Sequence, residues 1–139
     1  MIIREIEKKM STMLTSKSVK PKTIFCDIDG TLVKHHGDTR MITINHPQSL
    51  PGVIDKINEW ELNGHHIILT TGRRESLRQR TEEHLQAMGI PYDILLMGIT
   101  SGHRVLINDK NTRGDDTCFA VNLKRDEGFS NTQWSDLGL

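Results

Sequence analysis

Three short apolar runs, far apart in the chain, each stop on a polar pair. Ile24-Phe25-Cys26 gives way to Asp27 and Asp29, Ile67-Ile68-Leu69 to Thr70-Thr71, and Val105-Leu106-Ile107 to Asn108-Asp109. Runs of this length, without polar alternation, read as strands covered on both faces. Segments with helical spacing lie between them, and strand alternating with helix specifies a parallel sheet wound with helices on both sides. Ligands bind such sheets at the carboxyl ends of the strands. The three polar pairs therefore converge on one edge.

The elements follow in order. Residues 2–14 place Ile2, Ile3, Ile6, Met10, Met13 and Leu14 at helical spacing, and a Ser/Thr/Lys-rich stretch leads to Pro21. This reads as an added amphipathic helix and linker over residues 1–21, or as a frayed leader. Strands are expected over residues 23–28, 65–71, 92–97, 104–108 and 116–122. A helix opens at Pro51-Gly52, with Val53, Ile54, Ile57, Trp60 and Leu62 as its buried stripe, and ends at Asn63-Gly64. A second covers residues 73–88, with Leu77, His84, Leu85 and Met88 inward, and stops at Gly89 and Pro91. The catalytic domain is set at residues 22–125, and residues 126–139 read as a polar tail.

Composition excludes several classes. Eighteen basic residues balance eighteen acidic ones and aromatics make up 4%. Neither an electrostatic footprint for nucleic acid nor a base-stacking surface is visible, so nucleic acid is an unlikely partner on these grounds. Charges at Arg4, Glu5, Glu7, Lys8 and Lys9 interrupt any signal-peptide pattern, and no apolar segment is long enough to span a membrane. Cys26 and Cys118 fall in expected strands as buried thiols, without a Cys-x-x-Cys pair, which fits a reducing cytoplasm.

At the first strand end, side chains at i and i+2 of an extended chain point the same way, so Asp27 and Asp29 face one small volume. Two such carboxylates repel unless a cation or proton separates them. Gly30 lets the chain turn away. Asp27-Ile28-Asp29-Gly30-Thr31-Leu32 resembles the first motif of the haloacid dehalogenase-like (HAD) phosphatases, and Thr71-Gly72-Arg73 resembles the second. The resemblance covers residues 23–122. It implies a three-layer α/β/α, Rossmann-like five-stranded sheet in order 5-4-1-2-3, with a flap after strand 1 and no cap domain.

The resemblance also implies a magnesium-dependent phosphomonoesterase acting through an aspartyl-phosphate. Asp27 would be the nucleophile and Asp29 the general acid and then base. Mg2+ would be held by Asp27, the Asp29 carbonyl and Asp109, with Asn108 a weaker donor in place of a second acid. Thr71 and Gly72 would hold the phosphate, with Thr70 the alternative if the register slips by one. Arg73 and Arg74 sit unfavourably for cations at a helix N-terminus, which marks them, with the flap residues His35 and His36, as substrate contacts. Relatives place a lysine before the fourth strand, where this chain has Gly102-His103-Arg104. Lys110 is the expected substitute, because Arg104 should lie at the opposite end of a regular strand. The expected substrate is a small phosphorylated metabolite such as a sugar phosphate. The alternatives are a nucleic-acid 3′-phosphatase and a catalytically weakened binding module. The missing cap and the apolar stripe of residues 2–14 point to a homo-oligomer.

Overall fold

A computed structural model describes residues 2–15, 20–36 and 48–139. Helix α1 (Ile2–Thr15) forms as its spacing predicts, with Ile2, Ile3, Ile6 and Met10 exposed. Strand β1 (Thr23–Asp27) is followed by helix α2 (Val53–Leu62), strand β2 (His66–Thr70), helix α3 (Arg78–Met88) and strand β3 (Ile94–Leu96). The three strands form a parallel sheet in the order β1-β2-β3. Most of the expected flap, residues 37–47, lies outside the described residues.

Each boundary has a local cause. Gly52 enters α2 at φ 76°, a left-handed conformation that suits glycine. The Asn63 and Gly64 N–H groups bond the Glu59 and Glu61 carbonyls and close its last turn. Gly89 ends α3 in the same left-handed region, its N–H on Gln86 and that of Ile90 on Leu85. Asp93 ties β3 to β2 from both sides: its carboxylate accepts the Ile67 N–H at 2.8 Å, and its own N–H bonds the Ile67 carbonyl.

The core gathers Cys26, Ile28, Leu32 and Val33 around the end of β1, Val53, Ile57 and Trp60 from α2, Ile67 and Leu69 from β2, and Leu85 from α3. Each such side chain contributes about 1.5–3 kcal/mol by leaving water. Leu62, expected inside, is exposed, because it falls at the last position of α2 and off the stripe.

The sheet differs from the expected one on its β1 side. Residues 104–108 and 116–122 hold no strand, so the order 5-4-1-2-3 is seen only over its 1-2-3 portion. Both segments instead run out as the two limbs of a protruding arm. The turn at its tip bonds Asn111 N–H to the Asp115 carbonyl and Gly114 N–H to the Asn111 carbonyl. Val105, Leu106, Ile107, Phe119 and Val121 are left exposed, and Cys118 is half-buried in a limb rather than buried in a strand.

The last residues also depart from a polar tail. Phe129 and Trp134 are buried against Trp60, with ring centroids 5.5 and 5.3 Å from it and 4.9 Å from each other. The Trp134 indole donates to the Phe129 carbonyl at 2.8 Å, and Phe129 N–H bonds Pro51. A side chain at Gly128 would collide with the Pro51 carbonyl, so this close crossing requires glycine.

Candidate active site

The parallel register sets the site. Asp27 pairs with Thr70 across β1 and β2, and Thr70 with Leu96 across β2 and β3, so the three strands end level. Beyond that line β1 continues as a tight loop. Gly30 N–H bonds the Val33 carbonyl at 2.7 Å, and the N–H groups of Thr31, Leu32 and Val33 all reach the Ile28 carbonyl. This turns Asp29 back over the strand ends. The chain after β2 is pinned through Thr71, whose N–H bonds Leu96 and whose carbonyl accepts the Ile99 N–H. Gly72 lies so close to this strut that a side chain there would stand 3.0 Å from the Ile99 carbonyl.

The two carboxylates face different surroundings. Asp29 lies in the fork of Arg73: Nε donates to one carboxylate oxygen at 2.9 Å and Nη2 to the other at 2.8 Å. Arg73 is almost fully buried, and its Nη1 donates to Thr81 on α3 at 3.1 Å. Thr71 completes the knot, donating to Asp29 at 3.5 Å while accepting the Arg73 N–H at 3.1 Å. A bidentate guanidinium fixes the plane of a carboxylate as well as its place. Among the described residues Asp27 has no such partner; the Thr31 hydroxyl donates to it at 3.1 Å. Burial pushes the Asp27 carboxyl above its ordinary value and the Asp29 charge adds to this, while hydrogen bonds from Thr31 and the Ile28 N–H, and the Arg104 charge, oppose it.

Asp27, Asp29, Thr71 and Arg73 thus share one cluster. Thr70 is held in the strand ladder, and Gly72 and Arg74 are exposed beside the site. His35 and His36 are half-buried; the His35 N–H donates to Asp126 at 2.7 Å. Asn108, Asp109 and Lys110 are exposed on the arm, with Lys110 paired to Asp116 at 3.1 Å and Asn108 bonded to Thr117 at 2.9 Å. Among the described residues no three His, Cys, Asp or Glu side chains converge as a metal-binding group. Arg104 departs from its expected place: its guanidinium donates to the Ile99 carbonyl at 3.5 Å, beside the Thr71 strut at the catalytic edge. Residues 104–108 form no regular strand, so nothing carries Arg104 to the far end of the sheet.

Three participants carried little sequence signal. Thr81 supports Arg73 from one turn inside α3. Arg125 lies across the motif turn, its Cγ 3.2 Å from where a Gly30 side chain would begin. Asp126 N–H bonds the Gly30 carbonyl at 2.9 Å. The misplaced cation at residue 73 was a signal, but for an internal partner. A 3-10 turn at Glu75–Leu77 separates it from α3, so Arg73 precedes the helix and folds inward.

Residues 21–118, more than half of the chain, match the family described as the polynucleotide kinase PNKP phosphatase domain. Among solved structures, a chain of the Pnkp1/Rnl/Hen1 complex superposes with a TM-score of 0.51 at 33% identity, over 61% of this chain and 30% of that one. A chain of the Pnkp1/Rnl/Hen1 RNA repair complex gives 0.50 at 32%, over 60% and 28%. A Vibrio cholerae protein gives 0.45 at 23%, over 65% and 80%. This chain spans less than a third of the two repair-complex chains it matches. No curated protein matches it. With its paired aspartates at the end of a parallel strand and its Thr-Gly-Arg turn beside them, the chain belongs to the PNKP phosphatase-domain family of HAD-type phosphoric monoester hydrolases.

Proposed function

We propose that this phosphatase removes a terminal phosphate from a nucleic-acid end, with Asp27 as nucleophile. The observation that carries the reading is the Asp27–Asp29–Arg73–Thr71 cluster lying inside the segment that matches the PNKP phosphatase domain. This outweighs the expectation, from balanced charge and few aromatics, that nucleic acid is not a partner.

In the proposed cycle an Asp27 carboxylate oxygen attacks phosphorus as the ester oxygen leaves, giving an aspartyl-phosphate. Asp29 gives the leaving oxygen its proton, then takes one from the water that hydrolyses the intermediate, and inorganic phosphate departs. The Arg73 fork fixes the plane of the ionised Asp29 carboxylate for the second step, and Asp29 gives up one of those two bonds while it carries the proton. Thr71 and the N–H groups of the exposed Gly72-Arg73-Arg74 turn offer donors for phosphoryl oxygens. The donor set fits a hard divalent cation: Asp27 is a partly buried carboxylate raised by its own burial and by a second acid, a combination that a cation relieves. Asp27 and the Asp29 carbonyl would hold Mg2+, which when bound offsets phosphoryl charge.

A small phosphorylated metabolite is the second reading, favoured by the eighteen-to-eighteen charge balance. Phosphate release should be measured from 3′- and 5′-phosphorylated oligonucleotides, nucleoside monophosphates and sugar phosphates, with Mg2+ and with a chelator. The expected result is oligonucleotide turnover that the chelator abolishes. A preference of more than about tenfold in kcat/KM for a sugar phosphate would install the second reading.

A further inference from the structure

Among the described residues the chain holds both an open strand edge on β1 and an unburied apolar limb on the arm. Among the described residues β1 pairs only with β2, which leaves its other edge open, and Phe25 is exposed on one face of β1. An open parallel edge is a template for another strand. The limb at residues 104–108 carries Val105, Leu106 and Ile107, all exposed, and the second limb adds Phe119 and Val121.

The chain cannot close this edge with its own arm in parallel. Both feet of the arm stand at the carboxyl end of the sheet, where Ile99 N–H bonds Thr71 and Asp126 N–H bonds Gly30. A strand parallel to β1 must start at the amino end and on the far side of β1 from β3. Seven residues separate Leu96 from Arg104, whereas a parallel crossover needs about a dozen or more. A second molecule carries no such restriction.

The site also lacks what the arm carries. Asp27 and Asp29 are not joined by a third acid among the described residues, and Asp109 directly follows the apolar limb. A limb running parallel to β1 would end level with Asp27 and deliver Asn108 and Asp109 to the catalytic edge.

We propose that two copies of this chain exchange arms, residues 104–108 of each lying parallel to β1 of the other, so that the partner's Asp109 completes each active site. Its catalytic half rests on the phosphatase reading; its structural half does not. Two variants, each inactive alone, test the catalytic half. Asp27→Asn has a dead site and an intact arm, and Asp109→Asn the reverse. Unfolded together and refolded as a mixture, they should regain about a quarter of wild-type activity, because half the dimers are mixed and one of their two sites is whole. Refolding each alone should regain none. Light scattering at micromolar concentration tests the structural half. The wild type should be a dimer, and Ile107→Lys a monomer with an unchanged circular dichroism spectrum. A wild-type monomer with full activity overturns the proposal. So does a mixture that assembles but stays at the background of its parents. If the wild type releases phosphate from no ester, the phosphatase reading fails while the scattering result still decides the exchange.

Discussion

Ile67-Ile68-Leu69 on β2 and Val105-Leu106-Ile107 on the arm are nearly the same text written twice, with opposite outcomes. The first three are 0, 9 and 0% exposed, the second three 82, 55 and 89%. Composition does not separate them; neighbours do. β2 has β1 on one side, β3 on the other, and Asp93 extending the ladder. Among the described residues the arm limb runs beside its own second limb, with Asn108 bonded to Thr117 and Lys110 paired to Asp116. An apolar run thus states a demand for burial without naming the surface that meets it. In this molecule the buried region holds Asp27 and Asp29 in place, and the unburied one leads directly into Asp109.

The largest effect expected on this contrast is chemical. Asp27→Asn should lower kcat by at least about 10³-fold. Its fold should survive, because burial raises the Asp27 pKa and so disfavours the ionised form at neutral pH. A carboxyl with a raised folded pKa carries no penalty below its unfolded pKa and the full penalty above the folded one, so the neutral amide should melt no lower than wild type at pH 7 in chelator. A variant that keeps more than a tenth of wild-type turnover would show that the nucleophile is elsewhere.

Arg73→Ala comes next, for it leaves Asp29 partly buried without its counter-ion. Removing one member of a buried pair costs about 3–5 kcal/mol, readable in the urea midpoint. Arg73→Lys should recover part of that stability but little activity, since an ammonium cannot hold both oxygens. Equal activity for lysine and arginine would remove the orienting role.

Paired substitutions test the contrast itself. Ile67→Ala should cost about 2–5 kcal/mol through the cavity it leaves. Ile107→Ala, measured at protein concentrations low enough to keep chains apart, should stay within about 0.5 kcal/mol. Comparable losses would mean that the arm is packed against its own chain.

The smallest effect is a pH dependence of the interior. His65 is buried and its Nδ1 accepts the Lys22 N–H at 2.8 Å; burial and then the Lys22 charge hold its pKa below the ordinary value. A histidine with a lowered folded pKa favours folding fully above its unfolded pKa of about 6.5, and loses that contribution as pH falls from there toward the folded value. Unfolding free energies from urea titrations should therefore drop below pH 6.5 by up to about 1.4 kcal/mol per pH unit more in wild type than in His65→Gln. Parallel curves would remove His65 as the cause.

Much of this was legible beforehand. The ends of β1 and β2, both core helices and the Asp27/Asp29 pair follow from apolar runs and turn residues, which are local signals. What escaped was non-local. Residues 104–108 carry the pattern of a strand, but pattern does not say which edge receives it, nor that seven residues are too few to reach the near one. Phe129 and Trp134 stand alone among polar neighbours, so no period marks them as core. Arg73 pairs with Asp29 because the helix starts at Arg78 and not at residue 73, so a cation there precedes the helix and folds inward, which no local pattern marks.

The clasp of Trp60, Phe129 and Trp134 has a consequence for the integrity of the chain. Everything after the arm is held to the body by ring contacts, by the Phe129–Pro51 bond and by the Asp126–Gly30 bond at the motif turn. None of these passes through the tip of the arm. A peptide bond broken at residues 111–115 would therefore leave two polypeptides seated together as one folded body, with the catalytic edge intact and a severed loop showing only under denaturing conditions.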